Sequence, residues 1–242
     1  MALRRLFTRS SKNKVPKKMI SETDKSVTEV TEGVAKMAFW FPEAQFGCAP
    51  GVLRTRVGFT GGKKNSPTYY SLNNITVIRK LFTLWGDHTE TVEIHYNPEQ
   101  TSYRQLLKMF WLNHDSTACH SRQYMSAIFY HNDEQKHLAE ETKEEHQKTL
   151  RKPIVTKIAE AGTFFDAENY HQKYLLRQHR DIHRALKLSD KELISSVAAT
   201  RLNGYCGGYG KLSDLDKEID SFGLDENTKQ EVRKIVGRGT LH

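Results

Sequence analysis

The sequence predicts an α+β domain followed by a helical C-terminal extension. Two observations carry that prediction. Strand-like alternating segments and helix-period segments take turns up to about residue 158, and beyond residue 190 only helical patterns remain. A third, the length of 242 residues, allows one full hydrophobic core with a helical appendage.

The elements follow in order. Residues 1–32 are polar, show no sustained period and read as a tail. Arg4, Arg5, Arg9, Lys12, Lys14, Lys17 and Lys18 all precede the first acid, Glu22, and account for most of the net charge of +8. The excess is therefore local, and no nucleic-acid surface is expected on the folded part. Residues 1–9 (MALRRLFTR) are apolar, arginine-bearing and acid-free, as mitochondrial transit peptides are, or else a basic tail. At 35–41 the chain turns apolar, and Pro42 suits the first turn of a short helix that Gly47 can end. Residues 52–59 (VLRTRVGF) read as a strand closing on Thr60-Gly61-Gly62.

Residues 88–96 (HTETVEIHY) alternate as a strand ended by Asn97-Pro98. Glu90 falls on the same face as Val92, Ile94 and Tyr96. A carboxylate on an apolar face is costly to ionise, so burial should raise its pKa and keep it protonated. Ser102 with Gln105 reads as a capping box before Tyr103, Leu106, Leu107 and Phe110 at helical spacing. Residues 123–130 (QYMSAIFY) read as a strand, Asn132 with Gln135 as a cap for a charged, solvent-facing helix over 133–150, and 154–158 as another strand. Helices are expected over 190–202, ending at Asn203-Gly204, and around 212–222 and 226–236.

No apolar run approaches the roughly 18 residues of a membrane span, so no membrane partner is expected. Cys48, Cys119 and Cys206 are too few and scattered for a secreted disulfide framework, which points to a reducing compartment, cytoplasmic or mitochondrial. A metal site built from Cys48, Cys119, His120 and Cys206 would lack close C-x-x-C pairing, and neither metal nor cofactor is expected.

Several blocks together resemble the A-type peptide methionine sulfoxide reductases. They are FWFPEAQFG (39–47), GVLRTRVGFTGG (51–62), PTYYSL (67–72), GDHTETVEIHYNP (86–98), FWLNHD (110–115), SRQYMSAIFYH (121–131), AENYHQKY (167–174) and NGYCGG (203–208), in the family's order. The resemblance implies a two-layer ferredoxin-like plait over 33–210, with 211–242 as the helical extension. It also implies reduction of the S epimer of methionine sulfoxide, in proteins or free, with thioredoxin as the usual reductant. In that chemistry a helix-N-terminal thiolate attacks sulfur, an acid protonates the departing oxygen, and a second cysteine resolves the sulfenic acid.

By position, the resemblance makes Phe39 and Trp40 the methyl pocket, Glu90 the acid, Tyr69 and Tyr124 the oxygen-binding hydroxyls, and Cys206 the resolving cysteine on a glycine-bearing loop. The sequence departs from the signature G-C-F-W-G. Met37-Ala38-Phe39-Trp40-Phe41 puts Ala38 at the nucleophile position and Phe41 where a small residue stands. Cys48, about ten residues on and past the helix end, is a poor substitute. Cys119 occupies the region of a substrate-holding aspartate, and residues 73–85 form an apolar stretch that relatives lack. A catalytically silent homologue that still binds methionine sulfoxide or a protein partner is the alternative reading.

Overall fold

The computed structural model describes residues 33–38, 42–63 and 88–239. The tail, residues 39–41 and the stretch 73–85 lie outside the described residues.

Six strands form one mixed sheet in the order β5-β4-β1-β3-β2-β6. They are β1 (Gly33–Ala38), β2 (Val52–Thr60), β3 (Thr89–Tyr96), β4 (Ala127–Tyr130), β5 (Lys157–Glu160) and β6 (Phe165–Asp166). β4 and β5 run parallel, and the other pairings are antiparallel. The register sets Met37 opposite Val92 and Ile128, Lys36 opposite Glu93, and Phe59 opposite Glu90.

That register sorts the side chains onto two faces. Met37, Val92, Ile94 and Ile128 share a core with Leu106, Leu107 and Phe110 of α2 (Tyr103–Leu112), Ala139 of α3 (Asp133–Gln147) and Phe46 of α1 (Pro42–Gly47). The helices thus form the second layer on this face. Both predicted caps are present. Ser102 and Gln105 close a reciprocal capping box, and Asn132 accepts from the backbone of Gln135.

Three predicted elements are redrawn. Residues 123–130 are a 3-10 turn (Arg122–Tyr124) followed by a shorter strand, because Thr89 Oγ1 captures Arg122 O at 3.1 Å and folds the chain before it reaches the sheet. The strand expected at 154–158 pairs only from Lys157, since Ile154 N is taken by Gln147 Oε1 at 2.7 Å and Val155 N by Ser116 O at 2.9 Å. The helix expected over 190–202 is two helices, α6 (Asp190–Ser195) and α7 (Val197–Cys206). Ser196 leaves helical geometry to cap α7 through Ala199 N, and Asn203-Gly204 lies inside α7 instead of stopping it.

The C-terminal helices α4 (Tyr174–Gln178), α5 (Arg180–Ala185), α6, α7, α8 (Leu212–Glu218) and α9 (Glu226–Gly237) build a second core around Leu202, Tyr205, Leu215, Ile219 and Val232. Arg201 of α7 locks this core to the sheet domain. Its guanidinium donates to Ala49 O at 2.5 Å and pairs with Glu218 at 2.8 Å. No helix among the described residues is long and apolar enough to cross a membrane.

Candidate active site

β3 carries two carboxylates whose surroundings drive them apart. Glu90 shares the helix-covered face with Val92, as expected from the alternation. Burial, followed by the charge of Glu168, pushes its pKa above the ordinary carboxylate range. Phe59 lies directly across from it on β2, and Phe165 across from Phe59 on β6. Glu93, three residues along, faces the other way. Burial alone would raise its pKa too, but His95 at 2.9 Å, Arg56 at 2.6 Å and Lys36 at 3.3 Å outweigh that and hold it well below the ordinary range. Phe164 covers this charged face, its ring under both Lys36 and Arg56. One strand therefore holds a carboxyl of raised pKa on one face and an ion-paired carboxylate of lowered pKa on the other.

Ala38 ends β1 opposite Ala127 and is fully buried with Ala127 and Phe129 in a small cluster of its own. Since Met37 shares Glu90's face, Ala38 points to the opposite one. Phe39, Trp40 and Tyr69 lie outside the described residues. Tyr124 is half-buried in the 3-10 turn, which Thr89, the neighbour of Glu90, holds through Arg122 O.

Cys206 is not on a loop. It is the last residue of α7, and burial, then the charge of Glu231, pushes its thiol up to about 12. Cys48 is buried at the end of α1, its thiol raised to about 11, chiefly by burial. Among the described cysteines only Cys119 is exposed.

The segment 167–173 supplies residues to which the sequence assigned no role, although the AENYHQKY block contains them. Gln172 mimics a strand partner, taking Val57 N–H at 3.0 Å and donating to Val57 O at 2.7 Å. Lys173, left-handed at φ 53° and fully buried, donates through Nζ to Glu43 Oε1 at 2.7 Å and Thr55 O at 2.5 Å. Its backbone N–H reaches Glu43 Oε2 at 2.9 Å, so α1, β2 and the segment bearing Glu168 are fixed together.

A mixed six-stranded sheet layered by helices, with a half-buried carboxyl of raised pKa on the helix-covered face, defines an α+β protein that carries a candidate general acid. Residues 31–201 match the model of the peptide methionine sulfoxide reductase family, and 187–237 match the helical domain of selenoprotein methionine sulfoxide reductase A. A peptide methionine sulfoxide reductase of Drosophila melanogaster is 41% identical over 210 residues, covering 86% of this chain and 80% of that one. The Arabidopsis thaliana reductase A5 is 39% identical over 192 residues, 76% and 70% of the two chains. Mxr1 of Saccharomyces cerevisiae in its reduced form superposes with a TM-score of 0.51 at 27% identity, over 62% of this chain and 87% of that chain. Methionine sulfoxide reductase A of Corynebacterium diphtheriae gives 0.50 at 28%, over 61% and 76%. The chain belongs to the peptide methionine sulfoxide reductase family, of the A type, whose reaction is the reduction of methionine sulfoxide to methionine.

Proposed function

We propose that this protein reduces the S epimer of methionine sulfoxide, in oxidised proteins and as the free amino acid, with thioredoxin as the reductant. The observation that carries the reading is Glu90, a carboxyl whose pKa burial and the charge of Glu168 raise, on the same sheet face as Val92. Its proton goes to the sulfoxide oxygen as the S–O bond breaks, so that methionine leaves and the oxygen stays on the nucleophile as an acid that a second thiol resolves. Phe39 and Trp40 receive the methyl group, Tyr69 and Tyr124 donate to the oxygen, and Cys206 resolves. Residues 1–32 serve as a tail or transit peptide, placing the protein in the cytoplasm or mitochondrion. Residues 33–210 form the reductase domain and 211–242 its helical extension, a reading in which the match of 187–237 to a helical domain supports the helical C-terminal region.

The strand register favours a second reading of the nucleophile over a plain substitution at Ala38. Nucleophile and acid must reach the same S–O bond, hence the same side of the sheet, and Ala38 points away from Glu90. Strand alternation carried one residue past Ala38 would put an inserted residue on Glu90's side. It also restores the family order, with Ala38 as the small residue before the nucleophile and Phe39-Trp40 after it. The match of 187–237 to the helical domain of selenoprotein methionine sulfoxide reductase A supports selenocysteine as a candidate for that inserted residue. The test is a cysteine inserted between Ala38 and Phe39, with a selenium isotope pattern sought in the native tryptic peptide 37–54. Turnover of methionine S-sulfoxide with dithiothreitol by the insertion variant supports the reading. Turnover by Ala38→Cys with none by the insertion overturns it, and binding without turnover in both favours the silent homologue.

A further inference from the structure

Tyr124 belongs to a three-residue 3-10 turn whose N-cap, Ser121, makes no side-chain capping bond. Such a turn cannot fix a side chain by itself. Hydrogen bonds on either side of it tie it down. Ahead of Tyr124, Thr89 Oγ1 donates to Arg122 O at 3.1 Å. Behind it, Ser126 Oγ lies 2.7 Å from His114 Nε2 and 2.8 Å from Thr156 Oγ1. The relay ends on α3, where Lys143 Nζ donates to Thr156 O at 2.7 Å.

His114 itself is clamped at the end of α2. Its Nδ1 lies 2.7 Å from Phe110 O, an atom that only accepts, so the ring hydrogen sits on Nδ1 and Nε2 is left to accept the Ser126 hydroxyl. Phe110 packs against the ring at 4.4 Å between centroids. Burial lowers the pKa of His114 and keeps the ring neutral, in the form this pattern requires. Ser126 and Thr156 are both buried, which strengthens these bonds.

We propose that His114 is a positioning residue of the sulfoxide-oxygen subsite, fixing through Ser126 the turn that presents Tyr124 next to the strand of Glu90. The proposal rests on the assignment of Tyr124 as an oxygen donor made above. A sulfoxide differs from its thioether by one acceptor oxygen, so a hydroxyl held in place discriminates between them and a loose one does not. His114 therefore acts on sulfoxide recognition without touching the ligand.

The experiment measures binding of N-acetylmethionine S-sulfoxide and of N-acetylmethionine to the full chain by calorimetry. The proteins are wild type, Tyr124→Phe, His114→Leu, His114→Gln and the His114→Leu/Tyr124→Phe pair. Tyr124→Phe and His114→Leu each weaken sulfoxide binding about fivefold, the worth of one hydrogen bond, and leave thioether binding unchanged. The double variant binds no more weakly than Tyr124→Phe alone, because His114 acts through Tyr124. His114→Gln, which keeps a donor and an acceptor, recovers most of the affinity. Should His114→Leu fail to fold, Ser126→Ala breaks the same bond by deleting one hydroxyl and carries the same expectation. A His114→Leu loss that adds in full to Tyr124→Phe, or that falls equally on both ligands, overturns the proposal. Unchanged sulfoxide binding by Tyr124→Phe removes the assignment of Tyr124 and the proposal with it.

Discussion

Ala38 and Glu90 stand on neighbouring strands of one sheet and point to opposite faces of it. β1 and β3 pair so that Met37 faces Val92, which puts Met37 on Glu90's side and Ala38, fully buried against Ala127 and Phe129, on the other. A reaction between two groups on one sulfoxide needs both on one side. On the function proposed above, the nucleophile is therefore a question of chain length at the end of β1 as well as of residue type.

A thiol placed at position 38 is expected to be inert. Ala38→Cys adds a sulfur to a closed apolar cluster at a cost of about 1 kcal/mol from overpacking. The new thiol should resist iodoacetamide in the native protein and give no steady turnover of methionine S-sulfoxide. Rapid alkylation at position 38, read by mass spectrometry of the tryptic peptide, would contradict the register.

The two carboxylates of β3 should respond to pH with opposite signs. Glu93 has a lowered pKa, so its contribution to stability is present above the ordinary carboxylate range and is lost as the pH falls through it. Glu93→Gln leaves Lys36 and Arg56 without their anion and should cost about 3 kcal/mol at neutral pH, with the gap to wild type closing in acid. Glu90 has a raised pKa, so its contribution is complete at low pH and falls away as the pH rises past that range. Glu90→Gln should match wild type in acid and equal or exceed it at neutral pH, while losing sulfoxide reduction in the cysteine-insertion protein. Urea melts of both variants across the acid range decide the matter. A Glu93→Gln variant that tracks wild type at neutral pH would remove the cation cluster as the cause.

Much of this was legible before any coordinates. Glu90 was legible because strand alternation is local, and the caps at Ser102 and Asn132 because a capping bond spans three residues. The misreadings come from contacts that span the chain. Asn203-Gly204 has the composition of a helix stop, yet Asn203 Oδ1 is used to accept Leu176 N–H at 3.0 Å. Gly204 is there because a Cβ would lie 2.6 Å from the backbone N of Cys48. Neither demand is written near residue 203. The sequence reads the turn at Tyr124 as strand for the same reason, since the bond that folds the chain there comes from Thr89.

The placement of the cysteines orders their reactivity. Cys119 is exposed, whereas burial raises the thiols of Cys48 and Cys206 to about 11 and about 12. Because the thiolate is the reactive form, Cys119 should be alkylated first at neutral pH, the half-buried Cys206 far more slowly, and Cys48 only after urea unfolding. A time course of iodoacetamide labelling followed by peptide mapping reads the order. Alkylation of native Cys206 at the rate of Cys119 would mean that the end of α7 opens readily, and would return Cys206 to the accessible position that its glycine neighbours suggest.

The pair Lys173–Glu43 is expected to be the most sensitive joint beneath the site. Both side chains are buried, and Glu43 accepts from Lys173 Nζ, Lys173 N–H and Thr55 Oγ1, the last at 3.2 Å. Lys173→Met strands the carboxylate of Glu43 in the interior, and Glu43→Gln strands the ammonium, so each should cost about 3 to 5 kcal/mol. Removing both charges together should cost much less than the sum, because neither partner is then left buried and alone. Denaturant melts of the two single variants and the double variant give the coupling directly. The joint also sets α1 against the segment carrying Glu168, whose charge adds to the raised pKa of Glu90. In the cysteine-insertion protein, Lys173→Met should therefore shift the basic limb of the pH–rate profile to lower pH as Glu168 moves away from Glu90. A profile unmoved by a variant that melts several kcal/mol lower would confine the pair to stability alone.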